Sequence, residues 1–160
     1  MSILFSLLSW WLSVAMTVTS PDFQAGGTIP SMFTCDGAGT SPALHIAAVP
    51  PGAKALAIIV NDPDAPHPDG FTHWVAWNIT PATDIPRNFK GGVQGNNGAG
   101  KSGYMGPCPP SGVHHYHFIV YALDGPLSIS SKSDKAALEQ AMQGHILAHA
   151  EIVGLYQKKN

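Results

Sequence analysis

The chain has 160 residues, a formal net charge of −2, only 11 % charged side chains, and 17 glycines, 14 prolines and eight histidines. This length holds one domain with a real core, and low charge with abundant Gly and Pro suits short strands joined by turns better than a helical bundle. Lys and Arg do not cluster apart from Lys158-Lys159, which argues against a nucleic-acid partner held by a basic face.

Residues 1–15 are apolar, with Ile3, Leu4, Phe5, Leu7, Leu8, Trp10, Trp11, Leu12 and Val14, and carry no Lys or Arg. They read as a weak signal peptide, with Ser13-Val14-Ala15 as its small-x-small cleavage site, or as a start extension outside the fold. The run is too short to span a bilayer comfortably, so no integral membrane span is expected. Residues 16–160 are then the domain. The expected location is cytoplasmic, or periplasmic or secreted if the leader is a signal. Cys35 and Cys108 lack CxxC spacing, which excludes a zinc ribbon or thioredoxin-type motif. Either a disulfide or two buried thiols fits them.

Thr17–Phe23 has β-branched alternation broken by Pro21, as in an edge strand. Residues 26–41 read as loop, and Ala43–Val49 as a short strand closed by Pro50-Pro51-Gly52. Three stronger strands follow. In Lys54–Asp62 the two-residue period aligns Leu56, Ile58, Val60 and Asp62. In Phe71–Ile79 it aligns Phe71, His73, Val75, Trp77 and Ile79. In His114–Leu123 it aligns His114, Tyr116, Phe118, Val120 and Ala122. Each stripe carries a titratable side chain at or near one end, so Asp62, His73 and His114 can converge at one rim of a sheet. Between Asp62 and His73, the sequence Asp62-Pro-Asp-Ala-Pro-His-Pro-Asp-Gly70 presents two carboxylates on a proline-stiffened turn.

The long 80–113 connection is too long for a simple hairpin and reads as a functional or mobile loop. At the end of the chain, Leu138, Ala141, Met142, His145, Ile146 and His149 share a helical face behind an N-cap at Ser133 or Asp134, and 151–157 reads as a closing strand.

Some motifs carry no chemistry. Gly95-Asn-Asn-Gly-Ala-Gly-Lys-Ser102 matches the phosphate-binding loop of nucleotide hydrolases letter by letter, but Pro109-Pro110 beyond it forbid the helix that the motif needs. Asn78-Ile79-Thr80 is a formal glycosylation sequon of little weight. Asp62, His73 and His114 are suitable ligand types for a metal, yet have none of the spacings of a known metal site, so no metal and no cofactor are expected. His73, His114, the Tyr116 hydroxyl and turn N–H groups fit a small oxyanion better, with Asp62 or Asp64 orienting a histidine or accepting from an ammonium.

Together, Asp62-Pro-Asp-Ala-Pro66, Phe71-x-His73-Trp74, Gly103-Tyr-x-Gly106-Pro-Cys-Pro-Pro-Ser-Gly112 and His114-His-Tyr116 resemble the two signature regions of the phosphatidylethanolamine-binding protein family, which includes the Raf-kinase-inhibitor proteins. The resemblance covers about residues 17–158 and points to the bacterial and archaeal branch. It implies a mainly β fold, two antiparallel sheets packed as a β-sandwich, with one main C-terminal helix and a closing strand. It also implies a ligand pocket at a sheet edge formed by Asp62, Asp64, Pro66, His73, Gly106, Pro110, His114 and Tyr116. His115 departs from the family's usual arginine and points away from that pocket, so an ion pair made by the arginine would be lost or made pH-dependent.

The expected function is non-enzymatic, with no catalytic residues. The chain would bind a small phosphate-like anion or a phospholipid headgroup and inhibit or regulate a protein target, a kinase or a protease; a homodimer is a further partner to test. The rival is an acid/base hydrolase or lyase using Asp62 or Asp64 with His73 or His114. A purely structural dimer module is the third reading.

Overall fold

The computed structural model describes residues 14–159. The leader assignment for 1–15 therefore falls, apart from Val14 and Ala15, outside the described residues. Among the described residues the first buried side chain is Met16.

Two antiparallel sheets form the body. The smaller has the order β1-β2-β5, from Thr17–Thr19, Leu44–Ala47 and Asp84–Ile85. The larger has the order β6-β4-β3-β7-β8. Its strands are β3 (Ala55–Asp62), β4 (Phe71–Ile79), β6 (Val93–Gln94), β7 (His114–Leu123) and β8 (Ile146–Tyr156). The expected β-sandwich is the observed fold. The 80–113 connection is less irregular than expected, since it supplies the short strands β5 and β6.

The large sheet is covered on both faces. Leu56, Ile58, Val60, Tyr116, Phe118 and Val120 join Val18, Leu44, Ile46 and Ile85 in the core between the sheets. Ala55, Ala57, Ile59, Val75 and Trp77 pack on Leu127, Leu138 and Met142 on the opposite side. Strand β3 is therefore apolar at consecutive positions, as a strand buried on both faces must be. Among the described residues no helix is long and apolar enough to cross a membrane.

The single expected stripe on β4 is not observed. Pairing with β3 passes from Val60↔Trp74 to Asn61↔Thr72, so His73 is the extra residue of a β-bulge. A second shift lies between Leu56↔Ile79 and Ile58↔Ala76. There Asn78 takes a positive φ of 53° and its side chain bonds both N–H and C=O of Leu127. Each bulge inverts the alternation. Val75 and Trp77 thus face the helix side, Ile79 returns to the core between the sheets, and His73 packs against Tyr116.

The C-terminal helix is also shorter than its periodicity predicts. Helix α1 is Lys135–Met142, capped by Asp134, whose carboxylate accepts from Ala137 N–H at 3.0 Å; such a cap contributes about 1 kcal/mol. Gly144, at φ 80°, supplies the left-handed residue that ends helices. The chain then becomes β8 and pairs with β7 from Leu123↔Ile146 to His114↔Tyr156. His145 and His149 are therefore not a helical pair. His145 Nδ1 meets Asp124 at 2.8 Å, and His149 stacks on Tyr121 across the strand pair.

Candidate functional site

The pocket end of the large sheet is built where β3 stops. Pro63 prevents the strand from continuing through a helical turn. Asp62 Oδ1 instead accepts the Asp64 N–H at 2.9 Å, closing an Asx turn. The returning chain passes close over this turn at Gly70, which has a φ of 69°. A Cβ there would collide with the Asp62 carbonyl and stand 2.9 Å from Pro63 Cα. The Asp-Gly pair at 69–70 thus allows β4 to start beside the end of β3.

On this frame the buried Asp62 carboxylate receives the His114 Nδ1–H at 2.7 Å. The two side chains are 4 % and 9 % exposed, so the pair lies in a low dielectric where the bond holds the imidazole in one tautomer. His73, displaced by its bulge, donates Nδ1–H to the Met105 carbonyl at 2.8 Å. Burial pushes the His73 imidazole below its ordinary value, partly offset by that carbonyl and by the Asp62 charge. In both histidines Nδ1 is committed, which leaves Nε2 for a ligand.

The Tyr116 ring is fully buried and stands edge-on to His73, with centroids 5.2 Å apart. Its hydroxyl makes no hydrogen bond of good geometry, although the Asp62 carboxylate lies close enough to help hold the proton on it. Burial, together with the Asp62 and Asp64 charges, raises the phenol above its ordinary value, so it remains a neutral donor. An unpartnered buried hydroxyl costs roughly 1–3 kcal/mol, which a ligand atom accepting from it with good geometry offsets.

These groups open on a cavity of about 250 Å³ lined by Asp62, Pro66, His73, Gly106, Pro110, His114 and Tyr116, with Ala65, His67, Phe71, Met105, Cys108 and Pro109 completing its wall. Of the eight residues expected there, Asp64 is the one that the cavity does not include. Its carboxylate turns to the outer face, where it accepts from the backbone N–H and Nδ1 of His115, at 2.8 and 2.7 Å. Those two bonds hold the Asp64 carboxyl below the usual carboxylate range. The expected outward direction of His115 is observed, and its contact with Asp64 is an ion pair only when the imidazole is protonated.

The opposite wall is pinned from below. Cys35 and Cys108 form a disulfide with Cα atoms 5.4 Å apart, which resolves the alternative left open by the sequence. Cys35 N–H bonds the Pro107 carbonyl, Tyr104 donates to the Phe33 carbonyl, and Gly106 lies on Phe33 and Thr34. Sequence reasoning missed Ala65, His67, Met105, Cys108 and Pro109 as lining residues. Pro66-His67-Pro68 was a usable signal, since a histidine between two prolines is held rigidly beside the Asp62 turn.

The nucleotide-loop look-alike is disposed of by its own hydrogen bonds. The N–H groups of Gly95, Asn96, Gly98 and Gly100 bond the carbonyls of Val75, Ser133, Thr72 and Asn97. Those of Ala99 and Lys101 bond the Asn97 side chain. Few donors remain to cradle a phosphate. Among the described residues no cluster of His, Cys, Asp and Glu has the geometry to hold a metal.

A profile of the phosphatidylethanolamine-binding protein family matches residues 19–157. The chain belongs to that family. A UPF0098 protein of Pyrococcus horikoshii is 48 % identical over 142 residues, which are 82 % of this chain and 71 % of that protein. Among solved structures, the family homologue CT736 of Chlamydia trachomatis matches with a TM-score of 0.87 at 43 % identity, over 91 % of this chain and 99 % of that one. Escherichia coli YbcL, a member of the same family, matches with a TM-score of 0.84 at 34 % identity, over 91 % and 100 %. These three relatives are archaeal and bacterial, as the signature regions suggested.

Proposed function

We propose that this family member binds a small phosphate-type anion, free or as a phospholipid headgroup, and acts by binding rather than by catalysis, inhibiting or regulating a partner protein such as a kinase or protease. The observation that carries the ligand half is the Tyr116 hydroxyl, buried without a partner in the cavity of His73 and His114. A phosphoryl oxygen accepting from Tyr116 satisfies it. The Nε2 atoms of the two histidines, protonated, supply two further charge-assisted donors. Asp62 acts as the positioning residue that fixes His114. Pro66, Phe71 and Pro110 give the apolar wall that makes those donors effective by excluding water. The regulatory half rests on the family resemblance.

The hydrolase or lyase reading has the Asp62–His114 pair in its favour, since a carboxylate-oriented imidazole is also a general base. Against it, the cavity lining contains no Ser, Thr or Lys, and Cys108 is in a disulfide. That disulfide also favours an oxidising compartment over the cytoplasm expected from the sequence, with residues 16–160 as the folding unit.

Calorimetric titration with inorganic phosphate and phosphoethanolamine, run beside a phosphoester turnover panel, tests the proposal. Binding without turnover, lost in His73→Ala and in His114→Ala, is the expected result. Turnover abolished by His114→Ala would establish the hydrolase instead. Equal behaviour of all three proteins would remove the pocket assignment.

A further inference from the structure

Six of the eight histidines have Nδ1 committed to an oxygen: His45, His73, His114, His115, His117 and His145. A seventh, His149, is stacked on Tyr121 at the β7–β8 pair. The eighth, His67, has no hydrogen-bond partner for either ring nitrogen among the described residues, and it is the one of these two that lines the cavity. It is also held in place. Pro66 and Pro68 flank it, its N–H bonds the Ala65 carbonyl at 2.7 Å, and its carbonyl accepts from Gly70 at 3.0 Å. Its ring lies 6.5 Å from that of Phe71, which stands 4.9 Å from His73.

The cavity therefore has a graded wall. At the inner end are the committed imidazoles and the orphaned phenol; Phe71 lies between; at the exposed rim stands an imidazole with both nitrogens available. We propose that His67 is a specificity-determining residue that reads the substituent of the bound phosphate monoester, accepting a hydrogen bond from an amine or hydroxyl on its alcohol portion. This rests on the anion reading above and deepens it. An inner anion subsite alone would not tell one phosphate monoester from another. A rim acceptor favours those whose second group donates, by about three- to tenfold for one net hydrogen bond. Unlike the buried histidines, His67 makes no side-chain hydrogen bond among the described residues, and its turn is closed by backbone bonds that a substitution leaves in place.

The test compares ethyl phosphate, 2-hydroxyethyl phosphate and phosphoethanolamine by calorimetry on the full chain, as parent, His67→Ala and His67→Gln. The first two differ only in one hydroxyl and so isolate the donor. The parent is expected to bind 2-hydroxyethyl phosphate and phosphoethanolamine three- to tenfold more tightly than ethyl phosphate. His67→Ala abolishes that preference by weakening the two donor-bearing ligands more than ethyl phosphate, and His67→Gln retains part of it. A preference that survives in His67→Ala, or an equal loss for all three ligands, overturns the role of His67 while leaving the pocket in place. Absence of binding by the parent to every one of them overturns the anion reading and this inference together.

Discussion

His114 and His115 are neighbours in sequence, and each directs Nδ1 to an aspartate oxygen 2.7 Å away. Strand alternation sends them to opposite faces of β7. The inner pair, with Asp62, is 9 % and 4 % exposed; the outer pair, with Asp64, is 52 % and 41 % exposed. Distance and chemistry are shared, and burial separates them. In the low dielectric the inner bond fixes a tautomer and makes a missing partner costly. In water the outer bond competes with solvent and salt. The same contrast holds for His117–Glu151 and His45–Asp84, both on the outside. Residue types and spacing thus do not by themselves mark a site. The side of the sheet on which they fall does.

Breaking the inner pair is expected to have the largest effect. Asp62→Ala leaves the buried His114 Nδ1–H and the Asp64 N–H without their acceptor, at a cost of about 2–3 kcal/mol in urea unfolding. Phosphate binding should fall with it. A loss of stability under 1 kcal/mol would show that water replaces the carboxylate and that the site is wetter than its burial implies.

The protonation of His73 gives the next largest effect. Its folded value lies below that of an unfolded histidine, so the unfolded chain binds more protons as pH falls through about 6.5. The stability contributed by neutral His73 is present above that pH and is lost below it. The parent should therefore lose more stability than His73→Gln between about pH 7 and pH 5, as followed by thermal melts. An anion reverses the preference, because it favours the protonated ring. Sulfate, whose own charge is constant over this range, should bind more tightly as pH falls. Affinity that stays flat would mean that His73 gives no proton to the ligand.

The outer pair should matter least. Asp64→Asn is expected to change stability by no more than about 1 kcal/mol, with any change shrinking in 0.5 M salt. Phosphate affinity should be unaltered, and a tenfold loss would return Asp64 to the pocket.

Much of this arrangement was legible from the residues. The three main strands are marked by their apolar runs, and the phase of β7 correctly groups His114 with Tyr116 and Phe118. The convergence of Asp62, His73 and His114 was also readable, although the stripe drawn through β4 was not the one the chain uses. The bulge at His73 inverts the alternation, and a bulge leaves no period of its own to detect. The placement of Asp64 depends on an Asx turn that spends the Asp62 oxygen on a backbone N–H, a tertiary detail hidden in the letters Asp-Pro-Asp. The helix ends before the helical period of 138–149 does, because past Gly144 pairing with β7 overrides local pattern. The disulfide joins residues 73 positions apart, and sequence spacing carries no information about that proximity.

The central claim is that the inner imidazoles take the ligand and the outer one does not. Imidazole nitrogen chemical shifts of His73, His114 and His115, followed by NMR through a single phosphate titration, test it most directly. The account predicts that Nε2 of His73 and of His114 shift together and saturate at one affinity while His115 stays at its starting position. A saturating shift at His115, with His73 and His114 unmoved, would contradict it.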